Sequence, residues 1–151
     1  MDEMTRIKGV FHLRDQAGAA AIEFALVLPL LIILAFGIIE FSILFYDKAM
    51  ITNASREGAR VGIVDDSGYP DDSVIKTSVK DYVHNHLISL GQPSNDELTD
   101  DDIAITRPVE ASGASLTVTV SYDYHFLVLP EFIATLTGPI NLSATTVMRM
   151  E

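Results

Sequence analysis

The residues GAAAIEFALVLPLLIILAFGIIE, numbers 18–40, are the stretch that decides the fold. Twelve of the sixteen residues from Phe24 to Ile39 are Leu, Ile, Phe or Val, and none is charged. These twelve side chains favour membrane insertion by about 4–7 kcal/mol, whereas a carboxylate at the bilayer centre costs about 2.5–3.5 kcal/mol. Glu23 lies near one end of the run, where the cost is smaller. The stretch therefore predicts a membrane-spanning helix, which needs about 20 residues.

Two other residues of this stretch have predicted roles. Pro29 lacks a backbone N–H and its ring clashes with the carbonyl four residues earlier, so a helix kink is expected there. Glu40 follows the apolar run and is interpreted as an interfacial charge at its outer boundary. A buried core helix of a soluble protein is the alternative, but the run lacks the polar face that such helices show.

Charge is distributed unevenly around the apolar run. The chain has 151 residues and a formal net charge of −11. Arg6, Lys8 and Arg14 precede the run, whereas residues 47–151 hold 16 acidic and 7 basic residues, a balance of −9. Basic residues favour the cytoplasmic side of a membrane helix. We therefore expect a cytoplasmic N-terminus and an acidic outer domain, which does not suit nucleic acid as a partner.

The residues before Ala19 form a short, polar leader. A secretory signal peptide cleaved after Gly37 is one interpretation. It fits poorly, because the apolar run is longer than a signal core and contains Glu23. An ionisable residue within a membrane helix is by default a functional candidate. The alternative is that the Glu23 side chain extends to the lipid headgroups.

The motif Gly18-Ala-Ala-Ala-Ile-Glu-Phe24 resembles the processing site of type IV pilin-like proteins. Together with NASREGAR at residues 53–60, it resembles the TadE-like family of Tad (Flp-type) pilus assembly proteins. The resemblance implies cleavage by a prepilin peptidase between Gly18 and Ala19. It also implies a minor pilin or pseudopilin of an adhesive pilus, held in the bacterial inner membrane with a periplasmic C-terminus. Its partners would be other pilin or pseudopilin subunits and Tad assembly proteins.

Cleavage at this site would place the new amino group of Ala19 one helical turn from Glu23. The carboxylate can pair with this amine or, in an axially offset bundle, with the amine of a neighbouring subunit. Sliding the subunits would leave both charges unpaired in apolar surroundings. Glu23 is therefore predicted to set the register between subunits.

Helical periodicity continues beyond Glu40. Apolar and small residues recur at spacings of three and four: Ile43, Tyr46, Met50, Ala54, Gly58 and Val61. A polar face accompanies them: Lys48, Thr52, Arg56 and Arg60. The pattern predicts one helix from about Ala19 to Val61, ended by Gly62. Glu57 and Arg60 are three residues apart and are expected to pair.

A second helix is predicted after the turn-rich residues 65–72. Asp71 or Asp72 would cap its start, and Gly91 would end it. One face of this helix is apolar: Ile75, Val79, Tyr82, Val83, Leu87 and Leu90. The helix therefore offers one side to a core.

Two groups of polar residues are candidate metal ligands. His84 and His86 point to different sides of the second helix, so we expect them to be surface residues. The acidic loop at residues 92–102 is expected to be solvated. Calcium binding by residues 96–102 is the alternative, although the spacing lacks the pattern of a calcium loop.

Three segments near the C-terminus predict strands: residues 102–107, 115–125 and 140–150. Alternate residues of the second segment are apolar: Leu116, Val118, Val120, Tyr122 and Tyr124. Residues 112–114 are a predicted turn between the first two strands. The connection at residues 126–136 is unusually apolar, which suits either the core or an exposed patch that contacts a partner or the bilayer.

Together these elements predict an α+β fold, which the resemblance implies is pilin-like. It has one long N-terminal helix with a transmembrane half and an outer half, a second helix, and a small three-stranded antiparallel sheet. The predicted divisions are a leader peptide (1–18), a transmembrane segment (19–40), an outer continuation of the long helix (41–63) and a periplasmic α+β domain (64–151).

The sequence has no phosphate-binding loop, nucleophile elbow or His-Glu metal helix. It also has no cysteine, which excludes disulfides and thiolate metal sites. We therefore expect no enzyme activity, no catalytic residues, no cofactor and no metal. An unprocessed single-pass membrane protein, whose periplasmic domain binds a ligand or an envelope partner, is the alternative function.

Overall fold

The computed structural model describes residues 3–64, 68–88, 98–128 and 138–151, with side chains from Gly18 onward. The chain divides into two compact units, Met1–Ile38 and Ile39–Glu151.

Two helices and three strands make up the described structure. In chain order they are α1 (Glu3–Gly62), α2 (Asp72–His86), β1 (Ile103–Thr106), β2 (Ser115–Tyr124) and β3 (Ile140–Arg149). A 3-10 turn at Asp100–Asp102 precedes β1. The long N-terminal helix, the second helix and the antiparallel sheet confirm the predicted α+β class.

The first unit is the N-terminal part of α1. The helix begins at Glu3, within the predicted leader, rather than near Ala19. The leader contains no proline that would end a helix. Pro29 lies inside α1, which is helical on both sides of it; the kink there stays a prediction. The side chains from Gly18 to Ile38 are exposed, apart from the half-buried Gly37.

The sheet of the second unit has the order β1-β2-β3, with both pairs antiparallel. The alternation predicted for β2 is confirmed. Its five apolar residues are buried: Leu116, Val118, Val120, Tyr122 and Tyr124. The predicted turn before β2 is also present, since the Ala114 N–H donates to the Ala111 carbonyl at 3.0 Å. Gly113 takes a φ of +83° there, which suits glycine because it lacks a Cβ.

The outer part of α1 packs on this sheet and on α2 through small residues. Its buried face is Asp47, Ile51, Ala54, Ser55, Gly58, Ala59 and Gly62. This face lies about one position away from the predicted stripe, of which Tyr46 is 40% exposed and Met50 and Val61 are half-buried. The buried face differs from the predicted stripe because most of its residues are small, and small side chains let α1 approach the sheet closely. α1 ends at Gly62, as predicted.

Helix α2 covers the core with Ile75, Val79 and Val83. Asp71 is its N-cap residue but makes no side-chain capping bond. The helix ends at His86 rather than at Gly91, which lies outside the described residues together with Leu90. The early end has a local cause: Leu87 adopts an extended conformation, and the next N–H, that of Ile88, donates to a side chain of α1.

We expect Gly58→Val to lower the free energy of unfolding by about 1–3 kcal/mol, because overpacking a closed contact forces neighbours to move. A Cβ at Gly58 would lie 2.5 Å from Val79 Cγ2. Ala49→Val, at an exposed position of the same helix, is the matched control and should change stability by about 0.5 kcal/mol or less. Urea unfolding of the full chain in detergent, followed by circular dichroism, measures both. Equal losses in the two variants would contradict the close packing at Gly58.

Candidate functional site

The predicted processing residues lie on the exposed part of α1 in the first unit. Gly18, Ala19, Glu23 and Pro29 all have exposed side chains or surfaces. A Cβ added at Gly18 would meet nothing within 4 Å. Ala19 and Glu23 are four residues apart, which is about one turn of helix. Cleavage after Gly18 and the register role of Glu23 remain predictions.

The described part of α1 from Gly18 onward is long and apolar enough to cross a membrane. Its most apolar window has a mean hydropathy of 2.7, and none of that window is buried. Exposed apolar side chains continue without interruption from Phe24 through Leu34. Together with the other exposed residues between Ala19 and Ile39, this surface has the length and composition of a membrane span.

Glu40 is buried at the beginning of the second unit, with 1% of its surface exposed. Its carboxylate accepts a hydrogen bond from the Tyr124 hydroxyl. It also accepts from the N–H groups of Leu127, at 2.9 Å, and Val128, at 2.6 Å. The prediction of an interfacial charge at Glu40 is therefore wrong, because three donors converge on the carboxylate inside the fold. Glu40 joins α1 to the end of β2 and to the segment that follows it.

Tyr124 is the side-chain partner of Glu40 and is itself 1% exposed. Burial raises the pKa of the Tyr124 hydroxyl well above its usual range, and the hydrogen bond to Glu40 raises this pKa further. The hydroxyl therefore stays protonated and acts as a donor. A hydrogen bond to a charged group contributes about 1.5–3 kcal/mol, whereas a buried charge that loses its partner destabilises a fold by about 3–5 kcal/mol. Removing a partner of Glu40 would therefore destabilise the fold by more than each hydrogen bond contributes to its stability.

Asp47 is a second buried carboxylate, seven residues after Glu40 and on the same face of α1. It is fully buried. Its Oδ1 accepts a hydrogen bond of 3.2 Å from the Ile88 N–H. Its Oδ2 has no hydrogen-bond partner among the described residues. Burial raises the pKa of Asp47 to about 6, against the opposing effect of the Ile88 N–H.

The two carboxylates bind backbone N–H groups just after secondary-structure elements. Ile88 follows α2, and Leu127 and Val128 follow β2. This arrangement positions the chain segments that follow α2 and β2. Sequence periodicity did not predict that Glu40 and Asp47 are buried, because the predicted apolar stripe on α1 lay about one position away from the buried face. The signal that could have found them is the spacing of seven between the acids, which places both on one helix face.

The other polar groups proposed from the sequence lie at the surface. His84 and His86 are exposed, and the His86 ring stacks on Tyr82 with centroids 4.2 Å apart. Asp100 pairs with Lys80 of α2, and this hydrogen bond lowers the pKa of Asp100. Among the described side chains, no three His, Asp or Glu residues are grouped so that they could hold a metal ion. Residues 92–97 of the acidic loop, which spans 92–102, lie outside that description, and so do residues 96 and 97 of the part considered for calcium.

The predicted pairing of Glu57 with Arg60 is confirmed. The Arg60 Nε donates to Glu57 Oε2 at 2.9 Å, and a second guanidinium nitrogen lies 2.5 Å from Oε1. The guanidinium beside Glu57 lowers the pKa of that carboxyl. The pair lies at the surface of α1, where such ion pairs contribute little to stability.

We expect Glu40→Gln to lower the free energy of unfolding by about 1–3 kcal/mol, because the amide NH₂ replaces an acceptor and leaves one buried N–H without a partner. Glu57→Gln is the matched control on the same helix and should cost at most about 1 kcal/mol, since its ion pair is at the surface. Denaturant unfolding of the full chain in detergent compares the two variants. A Glu40→Gln protein as stable as the wild type would show that the three hydrogen bonds are not formed.

Asp47 predicts an unusual dependence of stability on pH. Its pKa rises from 3.8 in the unfolded chain to about 6 in the folded chain, so between these values the folded state binds more protons. The contribution of this group to the free energy of unfolding is therefore largest below pH 3.8 and is lost as pH rises through about 6. Asp47→Asn keeps an oxygen acceptor and does not titrate. Its stability relative to the wild type should be higher at about pH 8 than at about pH 4.

Glu57→Gln provides the opposite comparison, because the folded-state pKa of Glu57 is lowered. Its stability relative to the wild type should fall, or stay level, over the same rise in pH. Denaturant midpoints of the wild type and both variants at the two pH values measure these trends. A stability difference for Asp47→Asn that does not change with pH would contradict the burial of that carboxylate.

A protein-family model described as TadE-like protein matches residues 18–60. The match begins at the predicted cleavage glycine and includes the exposed apolar part of α1, Glu40 and Asp47. No curated protein and no solved structure matches the chain. Over residues 18–60, the chain is therefore similar to TadE-like proteins.

Proposed function

We propose that this chain is a minor pilin or pseudopilin that takes part in assembling a Tad (Flp-type) pilus used for adhesion. The observation that carries the proposal is that one segment has both the family match and an exposed apolar helix surface. The TadE-like match covers residues 18–60, and the described side chains from Phe24 through Leu34 within it are apolar and exposed. A pilin needs both features together, a processing site and an apolar helix that moves from lipid into a filament.

In this proposal residues 19–40 hold the subunit in the bacterial inner membrane. The exposed apolar side chains of α1 support insertion. The basic residues before Gly18 favour a cytoplasmic N-terminus, and the acidic balance of −9 over residues 47–151 suits a periplasmic domain. The same helix surface would later pack against other subunits in a filament or at its base.

Cleavage by a prepilin peptidase after Gly18 would produce the charged amine on which the register role of Glu23 depends. Glu23 is exposed on α1 and four residues from Ala19, so both groups are accessible to a neighbouring helix. Pairing between subunits would bury two opposite charges together, whereas a shifted register would leave each unpaired. The chain would therefore be a substrate of the peptidase, and its own role would be structural rather than enzymatic.

The outer α+β unit would provide the contacts that distinguish this subunit from others. Its core is closed without disulfides, and its helix α1 continues from the membrane segment into that core. Other pilin or pseudopilin subunits and Tad assembly proteins are the proposed partners. The domain would select these partners while the apolar helix supplies the common packing surface.

The N-terminal residue of the mature protein tests this proposal. In cells with a working prepilin peptidase, mass spectrometry of the membrane-extracted protein should find Ala19 at the N-terminus. Gly18→Val should block cleavage and pilus assembly, because a β-branched residue replaces the glycine at the scissile bond. Gly37→Val is the matched control, since Gly18 and Gly37 both lie on α1 with nothing within 4 Å of an added Cβ.

Other termini would contradict the proposal in different ways. An uncleaved chain that begins at Met1 would indicate a membrane-anchored protein that binds a ligand or an envelope partner. A chain that begins at Ile38 would indicate a secreted protein. Normal processing of Gly18→Val would place the cleavage site elsewhere.

A further inference from the structure

We propose that the second unit rests on the periplasmic surface of the lipid bilayer through an aromatic patch, defined as Phe41, Phe45 and Tyr46 of α1. The proposal rests on the proposed function, because it requires residues 19–39 to span the membrane. The three side chains are 57%, 67% and 40% exposed, respectively. Aromatic rings left in water are unfavourable, since each large ring gains free energy on leaving it.

Because Glu40 is buried, its charge does not mark the outer end of the apolar surface of α1, as the sequence suggested. Glu40 is the only charged residue between Phe24 and Phe45, and its carboxylate points into the fold. Lys48 is half-buried and donates to the Ser143 carbonyl. Arg56 is the first exposed charged residue after Glu23 on α1. The surface of α1 that suits lipid therefore extends past Glu40 to Phe45 and Tyr46.

The distances along α1 place the aromatic patch at headgroup depth. Phe41 and Phe45 lie about 3 and 9 Å along the helix axis beyond Ile39. A bilayer with a core of about 30 Å and a total thickness of about 40–45 Å has a headgroup layer of about 5–8 Å on each side. Long helical side chains also point back toward the N-terminus, which brings both rings into this layer. Amphipathic rings such as Tyr are enriched at that depth.

A second segment, residues 126–128, lies close to Glu40 in the second unit. The N–H groups of Leu127 and Val128 bind the Glu40 carboxylate, so this segment lies at the level of Glu40. Phe126 packs its ring edge against Tyr124, with centroids 6.1 Å apart. All three residues of the segment are apolar and only half-buried. Two parts of the chain therefore present apolar surface at the end of the unit next to the proposed span.

Lipid suits this patch better than a second copy of the domain does. Residues 47–151 carry a balance of −9, so two copies repel one another at close range. Insertion of aromatic side chains into a bilayer surface needs no complementary charge, because its strength comes from buried apolar area. The patch would hold the domain close to the membrane and restrict its rotation about the helix axis.

Tryptophan substitution tests the patch directly, because the chain contains no tryptophan. Phe45→Trp and Phe41→Trp report on the patch, Leu31→Trp on the middle of the span, and Arg56→Trp on an exposed site further along α1. Each full-length variant is reconstituted into phosphatidylcholine vesicles with bromine on the lipid chains, either deep or close to the headgroup. Bromine quenches tryptophan fluorescence only at short range.

The expected result is quenching of Leu31→Trp by deep bromine, quenching of Phe45→Trp and Phe41→Trp by shallow bromine, and no quenching of Arg56→Trp. Unquenched Phe45→Trp and Phe41→Trp beside a quenched Leu31→Trp would overturn the patch and leave the membrane span intact. An unquenched Leu31→Trp would overturn both. Emission of unquenched Phe45→Trp that shifts to the blue as the protein-to-lipid ratio rises would show a second copy on the patch and also overturn it.

Discussion

The hydrogen bonds to Glu40 are the constraint on which the rest of the second unit depends. Helix α1 is apolar and largely exposed from Phe24 to Ile39, whereas from Glu40 onward one face of it packs against the sheet and α2. At Glu40 a carboxylate would normally lie in water, yet here the Tyr124 hydroxyl and two backbone N–H groups enclose it. Because a buried carboxylate is costly unless all its partners are in place, the end of β2 and the following segment have one permitted position against α1.

Small residues make the same helix compatible with the sheet. Gly58 and Gly62 approach Val79 and Leu116 so closely that an added Cβ would overlap them. Ser55 is buried without leaving its hydroxyl unsatisfied, since it donates to the Thr52 carbonyl and contacts the Thr146 hydroxyl at 2.7 Å. The domain has no disulfide, so close packing and satisfied polar groups hold it together. Among the described residues Asp47 is the exception, because its Oδ2 has no hydrogen-bond partner there.

Local pattern predicted most of the fold. Period-two alternation located β2 and its buried face, and apolar spacing located both helices, because these signals depend only on neighbours in sequence. The buried stripe on α1 was predicted in part. Ala54 and Gly58 are buried as expected, whereas Tyr46 lies outside the buried face. Asp47 and Ser55 take part in that face although they carry little hydrophobic signal. Glu40 and Asp47 were missed for a related reason. Their partners, Tyr124, Leu127 and Ile88, are distant in sequence, and no local rule predicts a carboxylate that binds distant backbone groups.

Above all, the structure indicates that Glu40 holds the segment after β2 against the outer part of α1. Amide hydrogen exchange at Leu127 and Val128, measured by NMR on the full chain in detergent micelles, tests it most directly. The account predicts slow exchange at both amides, comparable to that of amides paired within β2, because each N–H is bonded to a buried carboxylate. Exchange as fast as in an exposed loop would contradict it and would show that Glu40 has no partners in that segment.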